Sequence, residues 1–115
     1  MKLDYFLNKI VTVEIDRPKG TLHKGTVYPV NYGFIPGVPA EDGEDVDVYI
    51  LGEDNTLKKG SYYLCRIIAL IQREGDETKL IGCKPFDADD YSEEQIERAV
   101  RFREQKYNHQ LIMGE

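Results

Sequence analysis

Residues 61–73, Ser-Tyr-Tyr-Leu-Cys-Arg-Ile-Ile-Ala-Leu-Ile-Gln-Arg, constrain the fold more than any other segment. They read as one long strand, apolar on both faces through Ile67–Ile71. A strand that is apolar on both sides must be covered on both sides. That favours a barrel or another closed core over an open sheet with one wetted face. With 115 residues the chain has room for one domain, 1–115, and one modest core.

The remaining segments supply partners for that strand. Residues 9–15, Lys-Ile-Val-Thr-Val-Glu-Ile, alternate and favour β structure. Residues 16–26 form a turn-rich basic connector. Residues 27–34 read as extended, with Tyr28, Val30, Tyr32 and Phe34 on one face. Pro29 has no N–H for a ladder, which makes this strand irregular or an edge, and Pro36, Gly37 and Pro39 then break it. Residues 45–51 place Val46, Val48 and Ile50 on one face and Asp45, Asp47 and Tyr49 on the other. A polar loop fills 52–60, a hairpin turn 74–77, and a return strand 78–84. The tail changes period. Ser92 and Gln95 make a capping box, Tyr91 and Ile96 a hydrophobic staple, and Ile96, Ala99 and Val100 recur at helical spacing, so a helix is expected over 93–107. The fold expected is mainly β with α: an OB-like five-stranded closed β-barrel with a C-terminal α-helix.

Charge and composition narrow the function classes. A net charge of −6 argues against general nucleic-acid binding, which needs a basic surface. No apolar run is long enough to span a bilayer, and the N-terminus lacks a signal-peptide core, so no membrane partner and a cytoplasmic location are expected. Cys65 and Cys83 lie in apolar strands and read as buried thiols; His23 and His109 are too few to complete a zinc site with them.

The main functional signal is electrostatic. Glu41-Asp-Gly-Glu-Asp-Val-Asp47 holds five carboxylates in seven residues, just after Tyr28 and Tyr32. Carboxylates that close repel one another unless a hard cation joins them, which points to Mg²⁺ and phosphate chemistry. Gly43 permits a sharp turn that would carry Asp42 back over the face of Asp45 and Asp47. Asp42 and Asp47 are then the candidate ligands of one Mg²⁺, and Glu44 the candidate general base on its water. The same stretch also reads as a solvated acidic loop. At the 73–79 hairpin, Asp76 and Glu77 are candidate metal carboxylates and Lys79 a candidate phosphate contact. Arg17, Lys19, His23 and Lys24 fit either an anion clamp or a soluble loop, and Tyr28, Tyr32 and Tyr107 fit either packing or substrate contact.

Tyr28-Pro-Val-Asn-Tyr-Gly-Phe-Ile-Pro-Gly through Glu41-Asp-Gly-Glu-Asp-Val-Asp-Val, running on to Tyr49-Ile-Leu-Gly, resembles the signature region of soluble, barrel-type inorganic pyrophosphatases. Val13-Glu14-Ile15 resembles that family's first core strand and the 75–80 hairpin its later Asp/Lys loop, so the likeness covers roughly residues 9–84. The resemblance implies Mg²⁺-dependent hydrolysis of inorganic pyrophosphate, with a related small phosphoanhydride as the other substrate. Asp42 and Asp47 match metal-binding aspartates, Glu14 an outer metal-site Glu, and Glu77 or Asp76 a further metal-binding Asp. Glu44 stands at the general base, where the family usually has Asp. Lys79 matches a phosphate-binding Lys, Tyr32 a site tyrosine and Tyr107 a C-terminal substrate-binding tyrosine. Arg17, Lys19 and Lys24 stand in for cations that a longer excursion normally supplies. A homo-oligomer is implied on family grounds. Gln72 replaces an expected Asp, and Asn108 follows Tyr107 where Lys is expected, with Lys106 beside it. With Glu44, these departures motivate the alternative of a non-catalytic metal- or phosphate-binding module on the same fold.

Overall fold

The computed structural model describes residues 3–75 and 77–114, with the backbone alone of 88–90, so the Asp76 candidate lies outside the described residues. The strands are β1 (Ile10–Arg17), β2 (Leu22–His23), β3 (Thr26–Val27), β4 (Asn31–Pro39), β5 (Asp45–Leu51), β6 (Tyr62–Arg73), β7 (Glu77–Cys83) and β8 (His109–Met113), with helix α1 at Glu93–Glu104 before β8. Hydrogen bonding runs β1-β4-β5-β7-β6, and β6 returns to β1, so five strands close into a barrel. All these pairings are antiparallel except β5 with β7.

The long apolar strand does what its composition demands. Its first half, Tyr62–Arg66, pairs with β1, and its second half, Ala69–Arg73, pairs with β8. A register shift against β7 between Ile67 and Ala69 marks the change. One face fills the barrel with Cys65, Ile67 and Leu70, packed on Val13, Ile15, Val46, Val48, Ile50 and Leu80. The other face, through Ala69 and Ile71, packs with Tyr32, Tyr49, Ile81, Ile96 and Val100. Helix α1 is thus the cover that the second apolar face requires. Barrel closure leaves no room at Gly33: a Cβ there would run into the backbone carbonyl of Glu14 on β1.

Three expectations are corrected in detail. Pro36, Gly37 and Pro39 do not end β4, which continues to Pro39; its pairing with β5 lapses after Phe34 and resumes at Pro39 with Asp45. Proline removes ladder donors, and within the gap Gly37 takes φ +79°, a conformation that glycine adopts readily, before the chain returns to the ladder. The helix stops at Glu104 rather than 107. His109–Met113 then forms an unforeseen strand, because the far half of β6 has no β1 to pair with. The expected capping box is present: Ser92 Oγ accepts from Gln95 N–H, and Gln95 Oε1 accepts from Ser92 N–H.

Candidate active site

The outer face of the sheet, beside α1, brings the chemistry-bearing residues together in two rows. One row is Arg17 on β1, Tyr32 on β4 and Tyr49 on β5, paired directly across the strands. The next contains Glu14, Phe34 and Asp47. The parallel register of β5 on β7, with Val48 opposite Leu80, continues that row to Lys79. The alternation noted in 45–51 therefore positions Asp47, and the return strand positions Lys79, 32 residues later.

Lys79 lies almost wholly buried and donates through Nζ to Asp47 Oδ2 at 2.5 Å and to Glu77 Oε1 at 3.3 Å. Its ammonium is 5.9 Å from the Tyr32 ring centre. Glu77 also accepts from Arg73 Nη1 at 2.7 Å. Burial disfavours the charged form of Glu77, but Lys79 and Arg73 outweigh it and hold its pKa below the ordinary carboxylate value. Arg73 in turn donates to both oxygens of Glu104, at 2.9 and 2.5 Å, and Tyr49 donates to the same carboxylate at 2.5 Å. Burial opposes ionisation of Glu104 as well; the hydrogen bonds from Arg73 and Tyr49 overcome it and its pKa is lowered. Burial, reinforced by neighbouring carboxylates, raises the pKa of Tyr32 and Tyr49, so both remain phenols.

Two clefts flank this network. Asp16, Phe34, Glu44, Asp45 and Asp47 line one of about 360 Å³. Glu41, Asp42, Gly75 and Glu77 line the other. Asp42 Oδ1 accepts from the Glu44 N–H at 2.9 Å across Gly43, whose φ is +85°, and Asp42 lines the second cleft while Asp45 and Asp47 line the first. This local turn directs the carboxylate to the cleft it shares with Glu77. The structure thus groups Glu44 with Asp47 and Asp42 with Glu77, and Lys79 bridges Asp47 and Glu77. Among the described residues, no three His, Cys, Asp or Glu side chains stand close enough to hold a metal ion. The donors are nonetheless all carboxylate oxygens, and Asp47 and Glu77 already share one cation, which fits a hard divalent ion.

The family model for inorganic pyrophosphatase matches residues 6–109. The chain belongs to the inorganic pyrophosphatase family. Membership implies a divalent metal cofactor. Among curated relatives, the inorganic pyrophosphatase of Aquifex pyrophilus is 36% identical over 81 residues, covering 63% of this chain and 45% of that protein. That of Saccharolobus solfataricus is 39% identical over 73 residues, covering 61% of this chain and 40% of that one. The chain therefore spans under half the length of these relatives. The solved pyrophosphatase of Ehrlichia chaffeensis shares the fold at a TM-score of 0.73 and 17% identity, covering 90% of this chain and 85% of that one. The Thermus thermophilus enzyme does so at 0.69 and 23%, with 90% and 80% covered.

Against this pyrophosphatase frame, Arg17 stands at the site: its Nη1 donates to the Tyr28 hydroxyl at 2.7 Å. Lys19 stands elsewhere. Its N–H donates to Asn31 Oδ1 and its Nζ to the Asp54 carbonyl, pinning the 52–60 loop. Glu14 shares the Asp47 row with Phe34 between them. Tyr107 lies at the edge, its ring 3.7 Å from the Arg73 guanidinium. Partial loss of hydration and the positive field of Arg17, Lys24 and Arg103 push the His23 pKa below its ordinary value. Sequence reasoning missed Asp16, Arg73, Arg103 and Glu104. The helical period carried the signal for Glu104: it follows Ile96 and Val100 at four-residue steps, so a glutamate sat in an apolar series.

Proposed function

We propose that the chain hydrolyses inorganic pyrophosphate to two phosphates in a Mg²⁺-dependent reaction. The meeting of Asp47, Lys79 and Glu77 beside Tyr32 carries this reading, since it joins the tyrosine-flanked acidic signature to the distant hairpin. Asp42, Asp47, Glu77 and Glu14 are the carboxylates that would hold Mg²⁺, which would neutralise phosphate charge and lower the pKa of water. Glu44, in the same cleft as Asp47, takes the proton from the attacking water. Lys79, Tyr32 and Arg17 bind the phosphates and offset charge on the leaving group, with Tyr107 at the rim. Lys19 supports this site only through the 52–60 loop.

Residues 1–115 act as one barrel unit in this reading, in the cytoplasm, with Cys65 and Cys83 buried in the strands. A homo-oligomer is supported by Ile10, Tyr62 and Leu64, exposed on paired β1 and β6.

Phosphate release from pyrophosphate, with and without Mg²⁺, tests the proposal against an Asp47→Asn variant. Mg²⁺-dependent release well above the variant is expected. Release equal to the variant's would sink it, and saturable Mg²⁺ or pyrophosphate binding without turnover would establish the non-catalytic module instead.

A further inference from the structure

Two arginines converge on one pair of tyrosines. Arg17 comes from β1 and Arg103 from the last turn of α1. The Arg17 guanidinium carbon is 5.5 Å from the Tyr28 ring centre and 5.3 Å from that of Tyr32. The Arg103 carbon is 6.0 and 5.2 Å from the same two centres. Each donates through Nη1 to one hydroxyl at 2.7 Å, Arg17 to Tyr28 and Arg103 to Tyr32. Arg103 Nη1 also reaches the Tyr49 hydroxyl at 3.5 Å.

We infer that Arg103, with Arg17, forms a guanidinium clamp for a phosphoryl oxyanion of the substrate. Like charges on the same two rings repel, and one guanidinium would suffice to satisfy the phenols. Among the described residues, neither arginine has a carboxylate within salt-bridge distance, unlike Arg73. A guanidinium carries five N–H donors in a planar fork, and the hydrogen bonds that the described residues make with Arg17 and Arg103 use the Nη1 end of each. The remaining donors match the paired oxygens of a phosphoryl group. Lys79 lies 5.9 Å from the same Tyr32 ring, so a phosphoryl group held by the clamp adjoins the Asp47–Lys79 pair. The tyrosines fix the arginines from below, which lowers the entropy lost when an anion binds.

The identity of the anion rests on the pyrophosphatase reading; the clamp itself rests on the geometry. Inorganic phosphate, which cannot turn over, separates the two. Titrated calorimetrically, Arg103→Gln and Arg17→Gln should each weaken phosphate binding by about 10- to 100-fold, the loss of a charge-assisted hydrogen-bond pair. Arg103→Lys should recover little, because an ammonium has no fork, and Arg101→Gln on the exposed side of α1 should bind like the parent. In the unmodified protein, saturating phosphate should protect Arg17 and Arg103 from phenylglyoxal, read by peptide mass, whatever the variants do to folding. Undiminished phosphate binding by Arg103→Gln, equal labelling of Arg103 with and without phosphate, or no phosphate binding at all would overturn the clamp. A chain that binds phosphate through Arg103 but releases none from pyrophosphate would remove the proposed activity and keep the clamp.

Discussion

Glu44 shows how much depends on single atoms. Its carboxylate lines the Asp47 cleft, one methylene longer than the aspartate the resemblance leads one to expect. If it serves as general base, Glu44→Gln should lower kcat by about 100-fold or more, a size typical of a lost positioned base, with KM for pyrophosphate changed little. A kcat within a factor of two of the parent would assign the base elsewhere. Glu104 is the opposite case, a buried anion whose work is structural. Glu104→Leu leaves the buried Arg73 with Glu77 as its remaining carboxylate among the described residues and should cost about 2–3 kcal/mol in urea unfolding, much of it recovered when Arg73→Met is added. The pH dependence has a definite sign. The folded pKa values of Glu77 and Glu104 are both lowered, so their contribution is complete above the unfolded carboxylate value, about 4.3, and is lost as pH falls through the folded values. Stability measured from pH 6 downward should therefore fall less steeply in the Glu104→Gln variant. The site residues on alternating strands were legible because period two assigns a face without any tertiary knowledge; Arg103 was not, because nothing local says which strand a helix face will meet.

At the scale of elements, α1 and β8 are coupled through one titratable contact. His109 Nε2 lies 2.7 Å from Glu97 Oε1, and Nδ1 lies 3.1 Å from the Tyr107 carbonyl. Partial burial lowers the His109 pKa, but the Glu97 and Tyr107 contacts outweigh it and the net shift is upward. A raised histidine pKa stabilises fully below the unfolded value, about 6.5, and that contribution disappears as pH rises through the folded value. The stability difference between the parent and His109→Gln should accordingly shrink from pH 6 to pH 9; a difference constant across that range would show that the proton is not linked to folding. The start of α1 was readable from Ser92 and Gln95 because caps are local hydrogen bonds. Strand β8 was hidden because its hydrogen-bonding partners lie on β6, some 40 residues back.

For the whole molecule, closure is the governing event, and Gly33 is where it is tightest. Gly33→Ala would press a Cβ onto the Glu14 carbonyl and Val13, and neither backbone can retreat without opening the β1–β4 ladder. A loss of about 2 kcal/mol or more in chemical denaturation is expected, in the upper range of overpacking effects, with phosphate affinity also reduced because Arg17 and Tyr32 meet on that ladder. Wild-type stability in this variant would mean the barrel is looser than the close approach implies. The chain by itself determined that a strand apolar on both faces needs a barrel or another closed core, and it placed Asp47 on the strand face opposite Val46, Val48 and Ile50. It also determined that carboxylates crowd at 41–47. Only the tertiary structure decided their grouping, with Asp42 beside Glu77, Glu44 beside Asp47, and Lys79 between. It alone brought Arg73, Arg103 and Glu104 to the tyrosines, because strand register and helix docking are set by packing over the whole core, which periodicity along the chain does not encode.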